Sequence, residues 1–226
     1  MGFWKDILEE FEVIKERDPA IKRPIEVLLY PSYQVQKKYR KAHKLYLKGK
    51  FFRARLISQR AARKTGIEIH PGAQIGKGLF IDHGAGVVIG ETAIIGNNVT
   101  LYQGVTLGGT GKECGKRHPT LCDNVMVSAG AKLLGSFVIG ENSKIGAGAV
   151  VLESVPPNCT VVGIPGRIVK QENKKVPRSD MDQTHMPDPV KEDIQVLQKE
   201  CSQLCNRIIE LERNTKLLAS QIQKEK

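Results

Sequence analysis

Two pairs of neighbouring polar residues could carry out chemistry: Asp82 with His83, and Arg117 with His118. Imidazole titrates close to neutral pH, so each histidine can take up or release a proton beside a fixed charge. Such ionisable pairs do not contribute to the packing of a hydrophobic core, so we expect them to belong to a functional site. The alternative for His83 is a structural role, as a hydrogen-bonded residue at a corner of the fold.

The residues around these pairs predict the scaffold that positions them. One aliphatic residue recurs every six positions, with a delay of two residues after the third repeat. A six-residue period fits neither an α-helix nor an alternating strand, and it is typical of a parallel β-helix, in which each repeat is a short strand and a turn. Gly, Ala and Asn between the aliphatic positions suit the corners. The recurring residues are Ile69, Ile75, Ile81, Ile89, Ile95, Leu101, Leu107, Leu121, Val127, Leu133, Ile139, Ile145 and Val151.

The repeat is interrupted once, between Leu107 and Leu121. We call the inserted segment, residues 108–120, the excursion. It is rich in glycine and carries Arg117 and His118, so we expect it to place these side chains over a neighbouring site. The alternative is a flexible surface bulge without a function.

The remaining segments divide around the β-helix. Apolar residues at helical spacing predict helices at about 3–16, 34–48 and 51–64. Prolines after the last repeat end the coil and turn the chain outward. The predicted fold is mainly β with α-helical caps, organised as an N-terminal α-helical region at 1–66, a β-helix at 67–170, a linker at 171–190 and a C-terminal coiled-coil helix at 191–226.

The C-terminal segment has a heptad pattern. Such a two-position stripe is typical of a coiled coil, and it favours self-association. The alternative is a single amphipathic helix packed on the β-helix. The first heptad position holds Ile194, Cys201, Ile208, Thr215 and Ile222, and the second holds Leu197, Leu204, Leu211 and Leu218.

Composition narrows the function. The net charge is +11, but the basic residues are spread along the chain with few aromatics, so we do not expect a nucleic-acid partner. An anionic, phosphate-bearing cofactor is the simpler explanation of the positive charge. No apolar run approaches the roughly 20 residues of a membrane span, and we expect no membrane association. The five cysteines lack zinc-type spacing, which predicts reduced thiols in the cytoplasm.

Five short motifs occur together with the six-residue repeat: Arg17-Asp18-Pro19-Ala20, Ile69-His70-Pro71, Asp82-His83, Thr106 to Lys112 with Arg117-His118-Pro119, and Met181-Asp182-Gln183. Taken together, these motifs resemble the serine O-acetyltransferase family. The resemblance covers about residues 10–185 and implies a left-handed parallel β-helix. It also implies transfer of the acetyl group from acetyl-CoA to the hydroxyl of L-serine, the first step of cysteine biosynthesis, without a metal.

The resemblance implies a catalytic role for three residues. His83 matches the general base that takes the proton from the serine hydroxyl. Glu68 stands where the family has an aspartate that orients this histidine, so the carboxylate here has one more methylene. His118 matches a second active-site histidine, which contacts the substrate or donates to the developing oxyanion.

Substrate-binding residues follow from the same resemblance. Asp18 and Asp82 match positions that face the serine ammonium group, and Arg117 matches the residue that pairs with the serine carboxylate. Asp18 also has an alternative role as a helix N-cap, since it precedes Pro19.

The resemblance places acetyl-CoA in a groove between two subunits, and it implies a homotrimer. The family often pairs two trimers through its N-terminal helices, but this region is shorter here. Cysteine is the implied feedback inhibitor. We expect little or no complex with O-acetylserine sulfhydrylase, because the chain ends in Lys226 rather than isoleucine. The cofactor-binding residues implied are Gly109, Thr110, Ala129, Ala147 and Arg167.

Three other functions remain open from the sequence. Another hexapeptide acyltransferase, acting on a sugar or antibiotic hydroxyl, would share the β-helix and the histidine. A γ-type carbonic anhydrase would bind zinc through histidines such as His70, His83 and His118. A non-catalytic scaffold would leave both polar pairs without a purpose.

Overall fold

The computed structural model describes residues 3–111, 114–171 and 189–224. The chain forms two compact units, residues 1–187 and 188–226. Most of the predicted linker, including the motif Met181-Asp182-Gln183, lies outside the described residues. Within them, no helix combines the length and the apolar character needed to span a membrane.

The first unit begins with helices. They are α1 (Phe3–Lys15), a 3₁₀-helix (Pro24–Leu29), α2 (Pro31–Leu47) and α3 (Phe51–Thr65). Helix α2 begins three residues before the predicted start, because the fixed φ of Pro31 suits a first helical turn. Helix α3 ends at Gly66, whose φ of 71° is the left-handed conformation typical of a helix end. The 3₁₀-helix was not predicted.

Helix α1 packs against the start of the β-helix. Ile7, Phe11 and Ile14 lie on one face of α1 and are buried in a cluster with Phe80. Their spacing of three and four residues places them along one apolar stripe. The helices therefore cover apolar surface that the first coils could not bury alone.

Short strands follow at the predicted period. In the first three coils they are β1 (Glu68–Ile69), β2 (Gln74–Ile75), β3 (Phe80–Ile81), β4 (Val88–Ile89), β5 (Ile94–Ile95), β6 (Thr100–Leu101), β7 (Thr106–Gly108), β8 (Thr120–Leu121) and β9 (Met126–Val127). The later strands are β10 (Lys132–Leu134), β11 (Val138–Ile139), β12 (Lys144–Ile145), β13 (Val150–Val151), β14 (Cys159–Val162) and β15 (Arg167–Gln171).

In the described residues, these strands form the three faces of a prism. The first sheet has the order β1-β4-β7-β10-β13, the second β2-β5-β8-β11, and the third β3-β6-β9-β12-β14-β15. Each of the strands β1 to β10 pairs in parallel with the strand three places further on. Strand β12 pairs in parallel with β14, and β15 closes the end by pairing antiparallel to β14. The predicted left-handed parallel β-helix is confirmed.

The recurring aliphatic side chains point into this prism. Leu101, Leu107, Val127 and Leu133 are completely buried in one continuous core, and Ile75 is half-buried against it. Each of the strands β1 to β13 supplies one such residue, so the hexapeptide period is the period of core packing. The small and polar residues between them lie at the corners, where the chain passes from one sheet to the next.

Two edges of the prism matter for function. The His83 edge lies between the third and first sheets and is formed by residues 82–87, 102–105, 128–131 and 146–149. The His118 edge lies between the first and second sheets and includes residues 70–73 and 90–93. Residues 82–87 make a corner of six residues where the next coil uses four, which explains the delay in the repeat.

The second unit contains one described helix, α4 (Pro189–Lys224). The heptad residues Ile194, Leu197, Leu204, Ile208 and Leu211 are exposed along it.

Candidate active site

The excursion is fastened to the His118 edge by Thr92. The Thr92 hydroxyl oxygen accepts hydrogen bonds from the backbone N–H groups of Arg117 (3.0 Å) and His118 (3.2 Å). The Lys116 ammonium donates to the Thr92 carbonyl at 2.8 Å. A flexible bulge would not make these bonds, so the returning end of the excursion is a fixed part of the edge.

The His118 ring is held in one tautomer. Its Nδ1 accepts a hydrogen bond from the Thr92 backbone N–H (3.2 Å) and lies 2.9 Å from the Thr92 hydroxyl, so the ring proton is on Nε2. Burial, followed by the charges of Arg117 and Lys116, lowers the pKa of His118. At neutral pH the ring is therefore a neutral N–H donor, which suits the predicted contact with an oxyanion.

Gly90 makes room for this ring. A Cβ atom at residue 90 would lie 1.9 Å from His118 Cδ2 and 2.1 Å from Nε2, distances that no side chain tolerates. His118 is 8% exposed because it rests directly on this stretch of backbone. The absence of a side chain at Gly90 thus fixes the position of the Nε2–H group.

Arg117 is paired with an acidic residue that the sequence analysis missed. Its guanidinium donates to Glu91 Oε2 at 2.5 Å, and Glu91 Oε1 accepts a hydrogen bond from the Tyr46 hydroxyl at 2.8 Å. The Tyr46 hydrogen bond and then the Arg117 hydrogen bond lower the pKa of Glu91. The sequence does contain a signal for this residue. Glu91-Thr92 is a polar pair at a corner, just after Gly90, in the same way that Asp82-His83 is a polar pair just after Ile81.

His70 lies in the same neighbourhood. Its Nδ1 accepts a hydrogen bond from the Gly72 N–H at 3.0 Å, and its ring meets the Tyr46 ring edge-on at 5.7 Å. Burial lowers the pKa of His70, and the nearby Glu91 and Glu68 partly oppose this effect. In the described residues no three metal-binding side chains come together.

The other pair, Asp82 and His83, lies on the His83 edge. His83 has a φ of 50° and a side chain that is 77% exposed, with Nε2 3.6 Å from Asp82 Oδ1. Burial raises the pKa of Asp82, and Asp18 raises it further while His83 opposes the shift. The exposed imidazole is thus available to a ligand outside the prism.

Asp18 adds a second carboxylate beside Asp82. Its Oδ1 accepts the backbone N–H of Ala20 (2.8 Å), and its Oδ2 accepts the Tyr30 hydroxyl (2.6 Å). Burial, then Asp18, and more weakly Asp82 raise the pKa of Tyr30, and Asp18 in turn raises the pKa of Asp82, so the three groups interact electrostatically. The helix-cap alternative is wrong, because Asp18 closes a turn and the next helix begins only at Pro24. In the described residues no lysine or arginine pairs with either carboxylate.

Glu68 borders the His83 edge without reaching the imidazole. Its backbone N–H donates to the carbonyl of Val87, the last residue of the long corner, at 2.8 Å. Among the described side chains Glu68 has no hydrogen bond to His83, and the histidine whose pKa it raises is His70. The predicted orientation of His83 by Glu68 therefore stays a prediction.

The residues implied for the cofactor fall on both edges. Ala129 and Ala147 lie on the His83 edge one coil apart, joined by a hydrogen bond from the Gly148 N–H to the Ala129 carbonyl at 2.8 Å. Gly109 and Thr110 follow β7 and are exposed at the His118 edge. Arg167 is exposed on β15, at the far end of the third sheet.

The predicted site residues are consequently divided within one chain. The His83 edge holds an exposed imidazole and two carboxylates, whereas the His118 edge holds a guanidinium and a fixed N–H donor. The first set suits an ammonium group and a hydroxyl to be deprotonated, and the second suits a carboxylate and an oxyanion. The two sets are complementary, but they lie at different corners of the same prism.

Comparisons with known proteins agree with this chemistry. A family model described as bacterial transferase hexapeptide (six repeats) matches residues 118–153. The serine acetyltransferase of Bacillus licheniformis is 53% identical over 216 residues, covering 95% of this chain and 100% of that protein. The chain belongs to the serine acetyltransferase family. The serine acetyltransferase of Bacillus subtilis is also 53% identical, over 203 residues, with 89% and 93% of the two chains covered.

Solved structures of serine acetyltransferases share the fold. One in complex with cysteine has a TM-score of 0.76 at 40% identity, covering 80% of this chain and 71% of that one. The Neisseria gonorrhoeae enzyme in complex with serine has a TM-score of 0.70 at 44% identity, with 74% and 68% covered. The Brucella abortus enzyme in complex with coenzyme A has a TM-score of 0.70 at 43% identity, with the same coverage. The predicted resemblance to serine acetyltransferases is confirmed, and the chain is an acyltransferase.

Proposed function

We propose that this enzyme transfers the acetyl group of acetyl-CoA to the hydroxyl of L-serine, giving O-acetyl-L-serine and CoA. The observation that carries the proposal is the division of charge between the two edges, with Asp18 and Asp82 on one and Arg117 on the other. A free amino acid presents an ammonium group and a carboxylate, which match these two sets. A sugar hydroxyl would bring neither an ammonium group nor a carboxylate to these two sets.

The reaction begins with proton transfer to His83. Its imidazole takes the proton of the serine hydroxyl while the oxygen attacks the thioester carbonyl. The tetrahedral intermediate then collapses, the carbon–sulfur bond breaks, and the imidazolium returns its proton to the leaving thiolate. Asp82, whose carboxylate is 3.6 Å from Nε2, stabilises the imidazolium. Glu68 borders the same edge and makes no hydrogen bond to His83 among the described side chains, and its role in orienting the ring rests on the family resemblance alone.

His118 and Arg117 serve the other end of the substrate. The Nε2–H of His118 donates to the oxyanion of the tetrahedral intermediate, a role supported by its fixed tautomer and lowered pKa. The guanidinium of Arg117 binds the serine carboxylate, while Asp18 and Asp82 bind the ammonium group. His118 also borders the bound serine, since it follows Arg117 directly.

We propose that the active enzyme is a homotrimer with a site between each pair of chains. The His83 edge of one chain and the His118 edge of the next together supply all the groups that the reaction needs. Acetyl-CoA lies in the same groove, against Gly109 and Thr110 near the thioester and against Ala129 and Ala147 along the arm. Arg167 binds a phosphate of the cofactor.

Helix α4 supports the same assembly. Five of its heptad residues are apolar and exposed in the single chain, and a parallel three-stranded coiled coil would bury them: Ile194, Leu197, Leu204, Ile208 and Leu211. A pair of trimers, joined through the N-terminal helices, is the larger assembly open to the protein. Sedimentation equilibrium of the full chain distinguishes the two states by mass, and a monomer would contradict the proposal.

Further expectations concern regulation and location. Cysteine has the ammonium and carboxylate groups of serine, so we propose that it competes at the serine site.

We expect little or no complex with O-acetylserine sulfhydrylase and no nucleic-acid partner. The described cysteines are unpaired thiols, which supports a cytoplasmic protein. A stable complex in a pull-down with the sulfhydrylase would contradict the first of these expectations.

Thiol release from acetyl-CoA tests the proposed reaction. The enzyme is assayed with L-serine, with a galactoside and without an acceptor, and free CoA is measured with a thiol reagent. We expect release that depends on L-serine. Release with the galactoside alone, or none with any acceptor, would refute the proposed substrate.

A further inference from the structure

We propose that Glu91 and Tyr46 are positioning residues that orient Arg117 for the substrate carboxylate, so that helix α2 sets the affinity for serine. This inference rests on the proposed function of Arg117. It assigns a role to a side-chain relay that crosses from the N-terminal helices to the excursion. The relay runs from the Tyr46 hydroxyl through the Glu91 carboxylate to the Arg117 guanidinium.

The need for a positioning residue follows from where Arg117 lies. It projects from a Gly-rich segment, and a long arginine side chain loses rotamer entropy when it is held in one conformation. Glu91 holds it before the substrate arrives, through an ionic hydrogen bond between two half-buried side chains. A guanidinium has five N–H donors, and this bond uses the terminal NH2 group, so other donors remain for the substrate carboxylate.

Glu91 is itself fixed by Tyr46. The Tyr46 ring packs edge-on against Phe51 (centroids 5.0 Å apart) and His70 (5.7 Å), and a Cβ at Gly72 would be 3.1 Å from Tyr46 Cζ. These contacts leave the ring little freedom, so its hydroxyl is a fixed donor. The Tyr46 hydroxyl thereby selects one orientation of the Glu91 carboxylate, with the other oxygen facing Arg117.

The relay also balances charge. A carboxylate beside a site for another carboxylate would repel the substrate unless a cation lies between them. Arg117 is that cation, and the Tyr46 hydroxyl takes up part of the negative charge of Glu91. Thr92 fixes the backbone of Arg117 in the same corner. The corner therefore sets both the position and the charge of the serine-binding group.

Two substitutions test this role: Glu91→Gln, which keeps the shape and removes the charge, and Tyr46→Phe, which removes one hydroxyl. Glu141→Gln is the matched control, because Glu141 is exposed at a corner of a later coil. For each protein kcat, KM for serine, KM for acetyl-CoA and the melting temperature are measured. Since an ion pair is replaced by a hydrogen bond from the guanidinium to a neutral amide, we expect Glu91→Gln to raise KM for serine about tenfold. For Tyr46→Phe, which loses one hydrogen bond, we expect a rise of about threefold.

In both variants kcat and KM for acetyl-CoA should stay within about twofold of the wild type, and Glu141→Gln should match the wild type throughout. An unchanged KM for serine in Tyr46→Phe and in Glu91→Gln would overturn the inference. So would a lower kcat and melting temperature without a selective change in serine affinity, because that result indicates a structural role alone. If Glu91→Gln does not fold, Tyr46→Phe decides. A wild-type enzyme without serine-dependent activity would instead refute the proposed function.

Discussion

Mixed trimers made from two inactive variants provide the sharpest test of a shared site. His83→Ala disables the His83 edge of a chain and leaves its His118 edge intact, whereas Arg117→Ala does the reverse. If each site combines the two edges of different chains, a mixed trimer contains an interface at which both edges are intact. If each site belonged to one chain, every site in the mixture would be defective.

The expected activity follows from the three-fold arrangement. Whether the mixed trimer has one or two chains of a given variant, one of its three interfaces joins the intact His83 edge of one variant to the intact His118 edge of the other. Mixed trimers should therefore show about a third of the wild-type kcat per trimer. Each parent variant should be slower than the wild type by at least about a hundredfold.

The two variants are co-expressed with different affinity tags, and sequential purification on both tags isolates the mixed trimers. Serine-dependent CoA release is then compared with that of each parent. The matched control is a mixed trimer of Asp82→Asn chains and His83→Ala chains. Both changes affect the same edge, so no interface in this trimer has two intact edges. Activity no higher than that of the parents, in trimers shown to contain both chains, would refute the shared site.

Three further predictions concern single side chains. His83→Ala should lower kcat by about 10²–10⁴, as loss of a general base does, and a loss below tenfold in a folded protein would contradict its role. Gly90→Ala puts a methyl group within about 2 Å of the His118 ring and displaces its Nε2–H. We expect kcat to fall about a hundredfold, as for loss of one oxyanion donor, and activity near the wild-type level would exclude that role for His118. Cys201 occupies a core position of the predicted coiled coil, so in a parallel, in-register assembly a mild oxidant should join two of the three chains by a disulfide between their Cys201 residues. Non-reducing electrophoresis measures the disulfide-linked pair of chains, and Cys201→Ser is the control. If the wild type forms no such pair, the parallel, in-register arrangement is excluded.

The fold could be predicted from sequence because its signal is local. Each six-residue repeat carries its own inward residue and its own corner, so Ile89, Ile95 and Leu101 reveal their roles without reference to distant parts of the chain. The ends of the helices have a weaker signal in the sequence than their middles. Apolar spacing detects the middle of α2, but its start depends on Pro31 and on packing, and the 3₁₀-helix has no comparable period.

The partners of the predicted site residues were harder to find. Arg117 and His118 were recognisable by type, but Glu91, Thr92 and Tyr46 contact them only through the coil geometry and the packing of α2. In contrast, the separation of the two edges could have been found by counting, because every third strand lies on the same face. His83 follows a third-sheet strand and His118 precedes a second-sheet strand, so they cannot share a corner.

The regular spacing of the coils makes the His83 edge a molecular ruler. Stacked strands are about 4.8 Å apart, so the three steps from the corner at 82–87 to the corner at 146–149 span about 14 Å. The length of an extended cofactor arm that fits between two corners of this edge would be a whole number of coil spacings. Inserting one coil between Ala129 and Ala147 would shift the far anchoring point by one such unit while leaving the corner at 82–87 unchanged. Coil number is therefore a discrete variable through which a β-helix can be matched to acyl carriers of different length.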